Sequence, residues 1–523
     1  MKRIVVTAVI AGFALSGATT VATAAPEPPG FQPKPIPWGT CASAALQKAG
    51  AECGLLEVPL DYAEPGGTKI KIAVSRIKHK VADDKFQGVM LVNPGGPGGS
   101  GLGLSRLGQF VPNRAGEAYD WIGFDPRGVG SSEPQVSCDG DYFGYNRPHY
   151  VPDDNELEQA WLRRAKGYAD ACKAKNGKVL EHLKTTDNAN DMESIRKALG
   201  QEQINYYGFS YGTYLGQVYS SLYPERVRRM VFDGTVNPKR VWYDANIDQD
   251  IAFDRNIKVY FDWVAKNDAT YRLGKTGAEV EKLYYSKVNE LRRKPADGII
   301  GPDEWTDAFL QAGYYVFGWA DIASAFAAYV HNGDIKPIKD LYDASNGQGP
   351  GTDNGYAIYL STQCTDVQWP TNWTKWRVDN WITHFRAPFE TWANAWFNAP
   401  CVFWGAKAGK PVRIDGRKVA SLLLIGETLD AATPYEGSLE VRSRYPNSAL
   451  IEGVGGTTHS GSLNGVECTD NAIADYLATG KLPERKPGRR SDMQCDPVPA
   501  PQPAAATAKS AGVTGASRML VRN

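Results

Sequence analysis

The sequence predicts an α/β protein with a mainly parallel sheet and a helical lid inserted before its last strands. Three observations carry this. Short apolar, strand-like runs alternate with helix-like segments over residues 41–239, the pattern of a parallel sheet with crossover helices. The same rhythm returns over residues 406–496. The segment between them, 240–405, is helix-like, poor in β runs and holds eleven of the fourteen tryptophans.

Taken in order, the chain opens on an address. Lys2 and Arg3 precede an apolar run from Ile4 to Leu15, and Ala22-Thr23-Ala24 offers small residues for cleavage, so residues 1–24 are expected to be a signal peptide. A membrane anchor is the competing reading, but the run falls short of the roughly 20 residues a spanning helix needs. Residues 25–40, proline-rich from Pro26 to Pro37, are expected to form an extended leader, a possible propeptide outside the core. Strands are expected at Ile70–Arg76, Gly88–Asn93, Asp120–Phe124, Ile204–Tyr207, Arg229–Asp233, Ser421–Ile425 and Ser448–Ile451. The inserted segment should cover the C-terminal ends of these strands, where open α/β sheets bind ligands. Most of its tryptophans would form a helical core, with a few lining the cleft. Residues 497–523 read as a Pro/Ala-rich tail.

Composition narrows the function. Lys and Arg total 58, as do Asp and Glu, so no net field would gather nucleic acid or anionic lipid. No segment after the leader is apolar enough to span a bilayer, and a secreted, extracellular protein is expected, with a small molecule or peptide as its partner. Eight cysteines in an exported chain imply disulfides. A zinc site is the rival, but no CxxC pair or suitably spaced histidine is present. Pairing of sequence neighbours is expected: Cys41 with Cys53, Cys138 with Cys172, Cys364 with Cys401 and Cys468 with Cys495.

Gly208-Phe209-Ser210-Tyr211-Gly212 follows a strand-like run and precedes a helix-like stretch that stops at Pro224. That is the context of a nucleophile elbow, in which small residues flank a serine on a strained turn. It refines the fold to an α/β-hydrolase, in which the acid and then the histidine follow the serine along the chain. Only His331, His384 and His459 lie after Ser210, and the first two fall in the lid. His459, in a Gly- and Thr-rich loop after the strand at 448–451, is the candidate base. The acid should end the preceding strand: Asp430 is the choice and Glu427 the rival. The glycine-rich Asn93–Gly101 segment lacks the Gly-Lys-Ser/Thr ending of a phosphate loop. It suits an oxyanion hole formed by the N–H groups of Gly96 and Tyr211. No metal or organic cofactor is implied.

Together these motifs resemble a known family. Pro94-Gly95-Gly96-Pro97-Gly98 and Asp125-Pro126-Arg127-Gly128-Val129-Gly130-Ser131 look like the corresponding loops of proline iminopeptidases, with Pro94 in place of their histidine. Ser210-Tyr211-Gly212-Thr213-Tyr214, Asn246–Asp250 and Asp430–Gly437 bring the chain nearer to the secreted tripeptidyl aminopeptidases of Streptomyces-type bacteria. The resemblance implies a serine exopeptidase that releases short peptides, tripeptides in that family's manner, from free N-termini. Proline iminopeptidase and carboxylesterase activity on the same fold are the alternatives. The resemblance also implies a carboxylate that receives the substrate ammonium, for which Asp250 and Asp366 are candidates.

Overall fold

The computed structural model describes residues 31–503. The expected signal peptide and most of the expected tail lie outside the described residues. A single sheet has the order β1-β2-β3-β5-β4-β6-β7-β8-β9-β10. Its strands are β1 (Gly39–Thr40), β2 (Glu52–Pro59), β3 (Lys69–Ile77), β4 (Val89–Asn93), β5 (Asp120–Phe124), β6 (Ile204–Phe209), β7 (Val227–Asp233), β8 (Leu422–Glu427), β9 (Ser448–Gly453) and β10 (Met493–Cys495). Strands β4 to β10 are parallel to their neighbours, while β1, β2 and β3 add an antiparallel edge. β4 and β6 are wholly buried, as central parallel strands with both faces covered must be. Alternation sorts their side chains. Met90 and Val92 pack with Ile473 and Leu477 on one face, and Val89 and Leu91 pack with Leu215 and Val218 on the other.

All seven expected strands are present as β3 to β9. The three that sequence reading missed are β1 and β10, too short to show a period, and β2. β2 carries Gly54, whose added Cβ would lie 2.6 Å from Ile36 Cγ2. That contact corrects the expectation for the leader. Ile36 belongs to the main core, the Arg76 guanidinium lies 4.2 Å from the Trp38 ring centroid, and Gly39–Thr40 pairs with β2. A proline-rich composition marks extended backbone, and extended backbone is also what lies along a sheet edge. The expected tail boundary shifts for a similar reason: Val498 is buried and donates its N–H to Glu427 Oε1 at 2.6 Å.

The segment between β7 and β8 is helical. Its first part builds a separate core in which Trp305, Phe309 and Phe326 pack together. Its later helix, Asn354–Asp366, joins the main core through Ala357, Leu360 and Cys364. Of its tryptophans only Trp242 lines the cavity beside the elbow. Trp305, Trp369, Trp376, Trp392 and Trp396 are fully buried packing, so the cleft takes its aromatic lining mainly from Tyr and Phe. A second part of the cap was not foreseen. The helix Asn155–Asn176, between β5 and the core helix Thr185–Ala198, stacks Trp161 on Trp396 at 5.6 Å. The four disulfides join the expected pairs.

Candidate active site

β6 turns into the helix Tyr211–Leu222 through Ser210, whose φ of 54° and ψ of −127° lie in a sparsely populated region. The flanking glycines are sterically required. A Cβ on Gly212 would lie 2.7 Å from Asn93 O, and one on Gly208 would lie 2.6 Å from Gly212 O. The strained turn therefore projects the serine side chain above the sheet. Ser210 N–H donates to Asp233 O at the end of β7, 3.0 Å away.

The same strand end organises the histidine loop. Ser460 Oγ donates to Asp233 O (3.3 Å) and Ser462 N–H to Asp233 Oδ2 (2.8 Å). Burial pushes the Asp233 carboxyl up to about 6. His459 Nδ1 lies 2.8 Å from Asp430 Oδ2, and both side chains are buried. Asp430 is fixed in turn by Thr433, whose N–H donates to Oδ1 (3.0 Å) and whose Oγ1 donates to Oδ2 (2.8 Å). The lid holds the histidine from above. His459 N–H donates to Tyr314 O at 2.8 Å, and Asn256 Nδ2 donates to Gly313 O and Thr457 O at 3.1 and 3.4 Å. Nothing in the sequence marked these lid contacts.

Glu427 has another place. Its Oε2 accepts the N–H of Thr458, the residue before His459, and its Oε1 accepts that of Val498. Burial drives its carboxyl up to about 8. Glu427 therefore faces the backbone of the histidine loop, while Asp430 faces the imidazole.

The glycine loop packs directly on the elbow: a Cβ on Gly95 would lie 2.6 Å from Phe209 O and 2.9 Å from Tyr211 N. Gly95 N–H is taken by Asn93 Oδ1 (3.0 Å) and Gly99 N–H by Gly95 O (3.1 Å). Gly96 stands between them, and with Ser210 and Tyr211 it lines the cavity. Asp125 clamps the loop's far end, accepting from Ser100 Oγ (2.6 Å), Gly101 N (2.9 Å) and Ser131 N (2.8 Å).

Two cavities meet at Ser210, sharing Gly96, Phe143, Tyr314, Ser345, Asn346, Tyr359 and Phe397. The first, about 380 Å³, runs under the lid to Glu390, Asp307 and Asn394. The second, about 490 Å³, passes His459 and the glycine loop. Neither of the carboxylates expected to meet a substrate amine lines them. Asp366 is engaged by Thr185 N and Oγ1 (2.7 Å each) and Trp242 Nε1 (3.2 Å), tying lid to core, and burial pushes it up to about 6. Asp250 lies behind the wall, held by Asn394 Nδ2 at 2.7 Å, and burial raises it well above its usual value. Of the four carboxylates that line the first cavity, Asp248, Asp307, Glu390 and Glu436, only Glu390 is buried. It is pushed well above its ordinary range by burial and by the charges of Asp250 and Asp307. It sits in the turn before the helix Thr391–Asn398 with no flanking motif, so sequence reasoning had no signal for it.

Fold and site thus define an α/β-hydrolase-type serine hydrolase with a helical cap. Residues 88–321 match the family model for the alpha/beta hydrolase fold, and residues 387–495 match that of TAP-like proteins. The chain is 40% identical over 484 residues to the tripeptidyl aminopeptidase of Streptomyces lividans, covering 90% of this chain and 88% of that one. It is 30% identical over 487 residues to serine protease Hip1 of Mycobacterium tuberculosis (strain CDC 1551 / Oshkosh), covering 86% and 90%. A protein named carboxylesterase B from the same organism is 30% identical over 455 residues, covering 83% and 85%. The chain belongs to the tripeptidyl aminopeptidase family and is a serine peptidase.

Proposed function

We propose that this peptidase is an exported enzyme that removes tripeptides from free N-termini, with Ser210 as nucleophile, His459 as general base and Asp430 as the acid that orients it. The observation that carries the reading is the first cavity, which Ser210 and the buried carboxylate of Glu390 both line. An acyl chamber closed by a carboxylate measures a short peptide from its ammonium end. Empty, Glu390 is driven toward its neutral form; an entering ammonium supplies the opposite charge that favours ionisation. The full disulfide pairing supports an oxidising destination outside the cytoplasm.

In this reading Ser210 Oγ attacks the third peptide carbonyl while His459 Nε2 takes its proton. Asp430 keeps the imidazole in the tautomer that donates from Nδ1, and the N–H groups of Gly96 and Tyr211 receive the developing oxyanion. His459 then gives the proton to the departing amine, and water hydrolyses the acyl-enzyme. Among the described residues Ser210 Oγ makes no hydrogen bond, and His459 Nε2 lies 3.4 Å from Ser460 Oγ. Alignment of serine and imidazole is thus a step completed with substrate bound.

The test is a matched chromogenic series of one, two and three residues with a free amine, plus an N-acetylated tripeptide and a simple ester, given to the mature protein and to Ser210→Ala. Cleavage after the third residue that needs both the free amine and Ser210 is expected. Cleavage confined to the ester would instead support the carboxylesterase reading, which the similarity to carboxylesterase B favours.

A further inference from the structure

We propose that the second cavity is the site for the departing part of the peptide, and that it selects an uncharged side chain immediately after the cleaved bond. The inference rests on the serine-peptidase reading of Ser210 and His459. Direction comes from proton transfer: the histidine that deprotonates Ser210 must hand that proton to the leaving amine. His459 lines the second cavity, whereas the first leads away from it to Glu390. The substrate's N-terminal part therefore fills the first cavity, and its continuation passes the glycine loop into the second.

The chemistry of the two walls differs. The first carries Arg240, Asp248, Asp307, Glu390 and Glu436. Among the described residues no Lys, Arg or Glu lines the second. Its own walls are the rings of Tyr315 and Tyr356 and the neutral residues Gly347 and Thr352, with Phe397 and Asn346 shared with the first. Its one carboxylate, Asp353, is occupied by Ser137 Oγ (2.6 Å), Cys138 N (2.7 Å), Asp139 N (2.8 Å) and Tyr168 OH (2.8 Å). The wall is also tightly built. A Cβ on Gly98 would lie 2.3 Å from Gly355 O, and Thr352 Oγ1 donates to Gly140 O at 3.0 Å. A charged side chain entering here loses water and meets no carboxylate free of other donors, while an aromatic or aliphatic one gains ring contact.

The experiment uses the full mature protein and peptides that share one N-terminal tripeptide and vary only the fourth residue X among Phe, Leu, Ala, Lys and Asp, with products resolved by mass. The expected kcat/KM for X = Phe or Leu exceeds that for X = Lys or Asp by about tenfold or more. Thr352→Asp, close in volume and at a residue that lines the second cavity but not the first, should narrow the deficit of Lys and deepen that of Asp, with the N-terminal preference unchanged. A flat ranking over X, or a ranking that Thr352→Asp leaves untouched, overturns the proposal. The ranking is read whatever length of acyl group is released. An enzyme that frees dipeptides yet keeps the order in X would discard the tripeptide reading and keep this one.

Discussion

Asp430 Oδ2 lies 2.8 Å from His459 Nδ1, while Glu427, one turn earlier in the chain, grips the backbone beside that histidine. The two acids are thus separated by task. In the proposed mechanism one fixes the tautomer of the imidazole, while the other holds the loop's backbone. Asp430→Asn should lower kcat by about 10⁴-fold with little change in KM, because the amide favours the wrong tautomer. Glu427→Gln should cost only about 100-fold or less, the effect of a displaced loop with the orienting acid intact. Steady-state kinetics on one tripeptide substrate separate the two.

Glu427 also gives a pH dependence with a definite sign. Burial raises its carboxyl from an ordinary 4.5 to about 8, so between these values the native state keeps a proton that the unfolded chain releases. This contribution to stability is fully present below about pH 4.5 and is lost as pH rises through about 8. Thermal unfolding of the wild type should therefore weaken from pH 5 to 8. Glu427→Gln should unfold at a lower temperature throughout, having lost one acceptor, yet show a smaller fall over the same range.

These residues mark how far the sequence could be read. β3 to β9 and the elbow were legible because each depends on a local pattern, an apolar run or flanking glycines; patterns of the same kind singled out Ser210 and His459, which line one cavity, and Asp430, which meets His459. Glu427 and Asp430 lie three residues apart on one turn, and only their side-chain directions in space distinguish them. Glu390 was invisible because its meaning comes from facing Ser210 across a cavity. Asp250 and Asp366 looked suitable by position, but one lies behind Asn394 and the other binds Thr185 and Trp242. Ile36 and Val498, assigned outside the core by composition, are packed into it.

Glu390 carries the requirement for a free amine in the proposed function. Glu390→Gln keeps the volume and removes the charge. It should raise KM for free-amine tripeptides by about 30-fold or more, the scale of losing a buried charge-assisted contact, with kcat changed far less. The ratio of free to N-acetylated substrate turnover should fall toward one. If that ratio is unchanged, the ammonium is received elsewhere.

Arg127 and Asp191 form a fully buried pair, with Nε and Nη2 each 2.7 Å from the carboxylate. Arg127 also donates to Pro59 O, Leu60 O and His182 O, so it binds the end of β2 to the segment that opens the helix Thr185–Ala198. Removing one partner strands the other charge in a medium that cannot solvate it. Arg127→Met or Asp191→Asn alone should therefore cost about 3–5 kcal/mol of stability. The double substitution leaves no unpaired charge, so it should cost less than the sum of the singles and no more than about the Arg127→Met change, which already forfeits the carbonyl contacts. Urea unfolding of the four proteins closes this cycle. Additive losses would mean that the pair is not coupled and that Arg127 acts only through the carbonyls of Pro59, Leu60 and His182.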